Sequence, residues 1–211
     1  MARMNGVSKD EGGLFLKLVY GFGRRGMKDM TGTYIEEGMT PIAIYAHSPK
    51  LLKGYGRMEQ ATSKVDSVPE RLRMLASLKT SSLVECEYCM DLGSAVARRR
   101  GVTDEEMLAL PNYRTSELFD DRDKLVIRYA EAMTRTPSEV TDDLFASLRE
   151  HFDEQQMVEL THEIAIENHR ARCNHAFGIA ESGFSEGMVC VVPESRAAGE
   201  SAAATTPVAV P

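Results

Sequence analysis

Cys86 and Cys89 stand three residues apart in the stretch ECEYCMDLGSA, residues 85–95. On a helix that spacing puts both side chains on one face, close enough to form an intramolecular disulfide. A helix starting near Glu85 would hold both sulfurs in its first turn, where orphan N–H groups and the macrodipole favour a thiolate. Glu85 and Glu87 act in the opposite direction, because neighbouring carboxylates disfavour another negative charge. Three readings of the pair stay open: a redox dithiol, part of a zinc site, or two inert thiols that pack as small hydrophobes. A zinc site would need His162, His169, Cys173 or His175 to converge on the pair through folding, since none has a standard ligand spacing to it. A C-x-x-C without a second copy points mainly to redox chemistry, so neither a metal nor another cofactor is expected.

Other chemistry-bearing residues lie in the long apolar-polar stretch that follows Asp153. Asn168, Arg172 and His175 recur at i, i+4, i+7, on one face of a helix. In that arrangement His175 is a candidate general base. Arg172 could lower a thiol pKa or hold an anionic substrate, and Asn168 could orient either group. The structural alternative is that they pair with Glu163 or Glu167, or sit at a subunit interface. His162, Ile166, His169 and Cys173 share a different face. Gly93 falls one turn after Cys89, where the missing side chain would leave room for a substrate, a water or another side chain.

The elements that must position these groups read as short, well-punctuated helices. Ser48-Pro49 and Ser67 with Pro69 mark two helix starts. Thr103 and Glu106 have capping-box spacing. Leu125, Val126, Tyr129, Ala130 and Met133 form a helical stripe that ends before Pro137, and Thr141 caps the next segment. Asp153 caps the longest helix, and Gly183 lies just past its expected end. Arg98-Arg99-Arg100 before Gly101 reads as a helix C-terminus favoured by the macrodipole. No stretch alternates as a strand, so the fold class is all-α, built of antiparallel helix pairs with short loops.

A net charge of −7 argues against a general nucleic-acid footprint. The four cysteines do not form a secreted disulfide framework, and a reducing, cytoplasmic setting is expected. Residues 12–26 are too short and too interrupted to span a bilayer, so no membrane partner is expected. They suit an arm that packs on another subunit. The organisation expected is an N-terminal arm and first helix over residues 1–45, a helical domain over 46–190, and a disordered Ala/Ser/Thr/Pro-rich tail over 191–211.

The segments CEYCMDLGSAVARRRGVTDEEMLAL, SELFDDRDKLVIRYAEAMT and VELTHEIAIENHRARCNHAFGI resemble, in order and spacing, the carboxymuconolactone decarboxylase superfamily in its alkylhydroperoxidase D-like (AhpD-like) branch. The resemblance covers roughly residues 40–185. It implies an all-α fold assembled as a homotrimer or hexamer. It also implies a hydroperoxide reductase in which Cys89 attacks the peroxide and Cys86 resolves it as a disulfide. The small-molecule substrate would then be a hydroperoxide, and an electron-donor protein would complete the cycle. The decarboxylase branch implies instead an organic acid handled by cofactor-free proton transfer. A third reading is a non-catalytic oligomeric redox sensor. This chain departs from the peroxidase pattern at three positions. Gly93 replaces a His four residues after the second cysteine, Met74 replaces a Glu twelve before the first, and Tyr88 stands where a His can precede the second.

Overall fold

A computed structural model describes residues 2–195. All the regular structure among them is helical, as expected for the all-α class: α1 (Gly13–Thr31), α2 (Thr40–Tyr45), α3 (Pro49–Thr62), α4 (Glu70–Val84), α5 (Glu87–Arg99), α6 (Asp104–Ala109), α7 (Asp121–Thr134), α8 (Asp142–Arg149) and α9 (Glu154–Phe177), with two short 3₁₀ turns.

The caps explain most boundaries. Thr103 and Glu106 form the expected capping box at α6, and Asp153 with Gln156 forms another at α9. Asp120 and Asp123 form a third at α7. Thr141 caps α8 through the Leu144 N–H, and Gly101 takes the left-handed conformation just beyond the arginine run. Two expected boundaries move. Pro69 is the N-cap of α4 rather than a first-turn residue, and the Ser67 hydroxyl binds Glu159 instead of capping. The last helix ends at Gly178, not near Gly183. Gly178 adopts φ 64°, and Ile179 N–H returns to the Asn174 carbonyl, a tight C-terminal closure that glycine permits.

Helix α4 is the centre of the packing and touches α5, α7 and α9. Its buried side chains point in nearly all directions: Leu72 and Ala76 join a core with α7, α8 and α9, while Leu75 and Leu78 join one with α5, α6 and α7. Arg71 at its start pairs with Glu106 and Asp123. Those two acids are the third-position residues of the capping boxes on α6 and α7, so one guanidinium ties two helix N-termini to the central helix.

The segment after α9 folds back over α4 and α5. The tail boundary expected at residue 191 therefore falls later: Val191 is buried, and its N–H donates to the Ser94 hydroxyl at 3.0 Å. Ser82 donates to the Val192 carbonyl at 2.6 Å. The remaining tail, 196–211, lies outside the described residues. This strap satisfies Lys79, whose side chain is fully buried. Its ammonium donates to both carboxylate oxygens of Glu194 at 2.8 Å and lies over the Tyr113 ring. Burial pushes the Lys79 pKa down, and Glu194 opposes that shift.

Because Glu194→Ala would leave that ammonium buried without its anion, it should destabilise the fold by ~1–3 kcal/mol in denaturant unfolding. An unchanged midpoint and slope would show that Lys79 does not depend on the strap.

Candidate functional site

The two cysteines sit where α4 reverses into α5. Only Glu85 and Cys86 separate the helices. Glu85 takes the left-handed conformation at φ 57°, unusual for a residue with a side chain, and Cys86 N–H donates back to the Ser81 carbonyl at 3.2 Å. This turn makes Cys86 the N-cap of α5 and places Cys89 in the first turn. Cys86 Sγ accepts the Cys89 N–H at 3.2 Å. The pair is joined as a disulfide, with Cα atoms 5.2 Å apart. Both sulfurs are inside the protein: Cys86 is 1% exposed and Cys89 6%. Glu85 and Glu87 point to solvent.

The cysteine pocket is built from several elements. Met27 of α1, Ile44 of α2, Ala171 of α9 and Phe184 pack in one cluster with both sulfur residues. Tyr88 is buried there as well, and its hydroxyl donates to the Gly38 carbonyl at 2.7 Å. Burial pushes its pKa up, so the phenol stays protonated at neutral pH. Asn174 directs its side-chain amide at Cys89 Sγ, 3.5 Å away.

Asp91 fixes the neighbouring loop. Its carboxylate accepts backbone N–H bonds from Ser182, Gly183, Phe184 and Ser185 at 2.7–3.0 Å, and Ser185 Oγ donates to its carbonyl. Asp91 therefore holds Phe184 against the cysteine cluster. Its sequence signal was weak, since a polar residue two positions after Cys89 reads as the solvent face of a helix.

The structure separates the candidate residues into two places. Asn168 and Arg172 direct their hydrogen bonds away from the cysteine pair. These two meet the C-terminal end of α7: Asn168 donates to Thr134 Oγ1 at 3.0 Å, and Arg172 donates to the Thr134 carbonyl at 2.8 Å. Arg172 and His175 are exposed and line a cavity of about 640 Å³ with Leu83, Val84, Arg135 and Glu139. Leu83 and Val84 end α4 just before the cysteine turn, so the cavity borders the disulfide without being lined by it. Gly93 is not open space. A Cβ built there would meet Leu78 Cδ2 at 3.3 Å, so the glycine serves the close crossing of α4 and α5.

The residue that does face Cys89 is one position earlier on α9 than the expected face. Asn174 belongs to a buried row with Glu163, Glu167 and Ala171, rotated about 100° from Asn168, Arg172 and His175. The charge of Glu163 and Glu167 disguised that row as surface.

The zinc alternative is not assembled. His162 Nε2 lies 2.7 Å from Thr62 Oγ1, and His169 Nε2 lies 3.0 Å from the Tyr45 hydroxyl. Among the described residues, no group of three His, Cys, Asp or Glu side chains could hold a metal ion. No helix among them is long and apolar enough to cross a membrane.

The model of the carboxymuconolactone decarboxylase family matches residues 49–132. The uncharacterized protein YnjA of Escherichia coli (strain K12) is 36% identical over 141 residues, 67% of this chain and 73% of that protein. The uncharacterized protein YdfG of Bacillus subtilis (strain 168) is 29% identical over 56% of this chain and 81% of its own length. Among solved structures, the debrominase Bmp8 superposes with a TM-score of 0.71 at 20% identity, covering 86% of this chain and 93% of that one. An alkylhydroperoxidase AhpD core, an uncharacterized peroxidase-related protein from Ralstonia eutropha JMP134, superposes with a TM-score of 0.61 at 19% identity, covering 77% and 85%. At those identities the superpositions establish the shared fold.

Asp91→Ala should release the loop over residues 182–185. Amide hydrogen exchange there should accelerate, with a stability loss of at least about 2 kcal/mol, since a charged acceptor of several N–H bonds is removed. Exchange in that loop at the parent rate would mean that Phe184 is held by packing alone.

Proposed function

The chain belongs to the carboxymuconolactone decarboxylase family, in the AhpD-like superfamily, and we propose that it is a dithiol oxidoreductase that reduces hydroperoxides through Cys86 and Cys89. The observation that carries this reading is the disulfide itself, built on a helix N-cap with the Cys89 N–H aimed at Cys86 Sγ. The first-turn N–H and the helix dipole stabilise negative charge on the Cys86 sulfur, the group that must attack Cys89 in the resolving step. The Asn174 amide adds a donor at Cys89 Sγ.

The reaction balances with these two residues. Cys89 thiolate attacks one oxygen of the hydroperoxide. The S–O bond forms as the O–O bond breaks, and the leaving oxygen takes a proton to become an alcohol. Cys86 sulfur then attacks Cys89 sulfur. The S–S bond forms, the S–O bond breaks, and hydroxide leaves as water with the Cys86 proton. A thiol or dithiol donor protein returns two electrons and two protons. Cys89 is the less buried residue of the pair, which suits its role as the first to meet substrate. The relay of the peroxidase pattern is missing at Met74 and Gly93, and Leu78 occupies the approach to Gly93.

The cavity at Arg172 and His175 supports a second reading, proton transfer on an organic acid. There Arg172 would hold the carboxylate and His175 would move the proton, with no part for sulfur.

Assembly is proposed through α1. Leu14, Leu18 and Phe22 recur at i, i+4, i+8 and are 76%, 54% and 75% exposed, a contiguous apolar face suited to a homo-oligomer contact. Leu18→Glu with Phe22→Glu should lower the mass seen by light scattering. A parent chain that is already monomeric at micromolar concentration would remove the idea.

Mild peroxide treatment of the reduced protein should remove two hydrogens, mapped by mass spectrometry to the peptide around Tyr88. Cys89→Ser should abolish turnover, and Cys86→Ser should stop the cycle after one oxidation. The acceptors to assay are alkyl hydroperoxides, an unsaturated lactone acid and a brominated pyrrole, the last because a cysteine-to-alanine variant of Bmp8 was crystallised in complex with 2,3,4-tribromopyrrole. Activity on the lactone acid that survives Cys89→Ser but falls roughly 10²-fold in His175→Ala would replace the redox reading with the proton-transfer one.

A further inference from the structure

The reaction above needs a thiolate at Cys89, and the first-turn N–H is engaged elsewhere. That N–H points back at Cys86 Sγ. The relay positions of the peroxidase pattern hold Met74 and Gly93, neither of which has a proton to move. An unperturbed thiol, with a pKa of about 8.5, is only a few per cent thiolate at neutral pH, so another group must favour the charged form of Cys89.

The titratable groups packed around the pair are committed to other partners. Tyr88 donates to the Gly38 carbonyl, Tyr20 to the Val7 carbonyl and Tyr34 to Glu36. Asp91 on α5 is filled by four backbone N–H groups. On α9, Glu167 accepts from Ser81 and Arg170, and His175 is exposed in the cavity. Glu85 and Glu87 point to solvent. Among the described residues, the side chain that donates to Cys89 Sγ is Asn174, itself 5% exposed.

A disulfide sulfur has no proton to give, so this contact runs from the amide N–H to sulfur. The amide does not titrate near neutral pH and cannot act as a base. It can donate to sulfur in either protonation state, and a hydrogen bond to a charged acceptor is the stronger one. The contact therefore favours the thiolate over the thiol.

The end of α9 holds the amide in place. Asn174 lies in its last turn, where the final four carbonyls all have donors. Ile179 N–H meets the Asn174 carbonyl at 3.0 Å, and Gly178 N–H meets that of His175 at 3.0 Å. Arg3 supplies the other two, its Nη1 to the Ala176 carbonyl at 2.9 Å and its backbone N–H to that of Phe177 at 2.7 Å. These bonds fix the turn that carries Asn174. Arg3 also sets a cation on a helix end whose partial negative charge opposes a nearby thiolate.

We infer that Asn174 is a catalytic residue of the dithiol: its amide takes the place of the proton relay by holding the Cys89 thiolate through a hydrogen bond, while the thiol proton passes to water. The inference rests on the redox reading of the pair. It gives each sulfur its own donor, the Cys89 N–H for Cys86 and the Asn174 amide for Cys89. The amide then sits at the sulfur whose electron pair forms the S–O bond as the O–O bond of the hydroperoxide breaks.

The test is alkylation of Cys89 by iodoacetamide across pH. It uses the full-length chain with Cys86→Ser, so that the thiol stays single, and is read by mass spectrometry on the peptide that holds Cys89. Adding Asn174→Ala should raise the midpoint by about one pH unit and slow alkylation at pH 7 about tenfold, the effect of a one-unit change in thiol pKa. At high pH, where the thiol is fully ionised, the two rates should converge. Asn174→Asp, which sets a carboxylate beside the sulfur, should raise the midpoint further. A merely structural asparagine would change access to the sulfur, and so the high-pH rate, with the midpoint unmoved; that result overturns the inference. If Asn174→Ala does not fold, the pH profile of Cys89 oxidation by hydrogen peroxide in the Cys86→Ser chain decides. One ionisation step supports a donor that does not titrate, and a second step from a base overturns it. Alkylation needs no peroxide, so the two readings fail separately. An unmoved midpoint in a chain that reduces hydroperoxides removes the role of Asn174 alone, while full turnover by Cys89→Ser removes the redox reading.

Discussion

The turn between α4 and α5 is the constraint on which the candidate site depends. Two residues reverse the chain, and one of them is a cysteine. Glu85 pays for the reversal with a left-handed backbone that costs roughly 1–2 kcal/mol for a residue with a side chain. The return bond from Cys86 N–H to the Ser81 carbonyl offsets part of that cost and stops the turn from relaxing. With Cys86 thus held at the N-cap, helical geometry alone brings Cys89 to it and points the Cys89 N–H at its sulfur. A longer loop would leave both cysteines present without this preset geometry.

Placing that turn inside the protein has consequences for every neighbouring element. Helix α4 is buried on nearly all sides, so its polar residues need internal partners. Lys79 finds Glu194 on the returning strap, Ser82 finds the Val192 carbonyl, and Ser81 finds Glu167. Asp91 on α5 organises the loop after α9 in the same manner, with four backbone donors converging on one carboxylate. The polar interior is a set of local closures, each of which secures a segment that packs around the sulfurs.

The site and the adjacent cavity are chemically distinct. The disulfide lies among apolar and hydrogen-bonded groups, while Arg172 and His175 face an open cavity on the other side of the α4 terminus. Val84 belongs to both, lining the cavity and packing against the cysteine cluster. A substrate held in the cavity would thus lie beside the turn that carries the dithiol.

The sequence by itself determined the helical class, the capping box of α6, the Asp153 cap of α9, the arginine-rich end of α5 and the adjacency of Cys86 and Cys89. All of these are local: they follow from spacing along a helix and from side chains that reach their own backbone. Asn168, Arg172 and His175 were legible as one face of α9, but periodicity cannot say which face meets the sulfurs. Glu163 and Glu167 have the chemistry of surface residues and are buried because Arg73 and Ser81 of α4 arrive from the folded chain to receive them. Gly93 looked like vacant space until Leu78 of α4 filled it, and residues 191–194 looked like tail until Lys79 and Ser82 held them. Those assignments belong to tertiary structure, because a buried polar group is defined by partners distant in sequence.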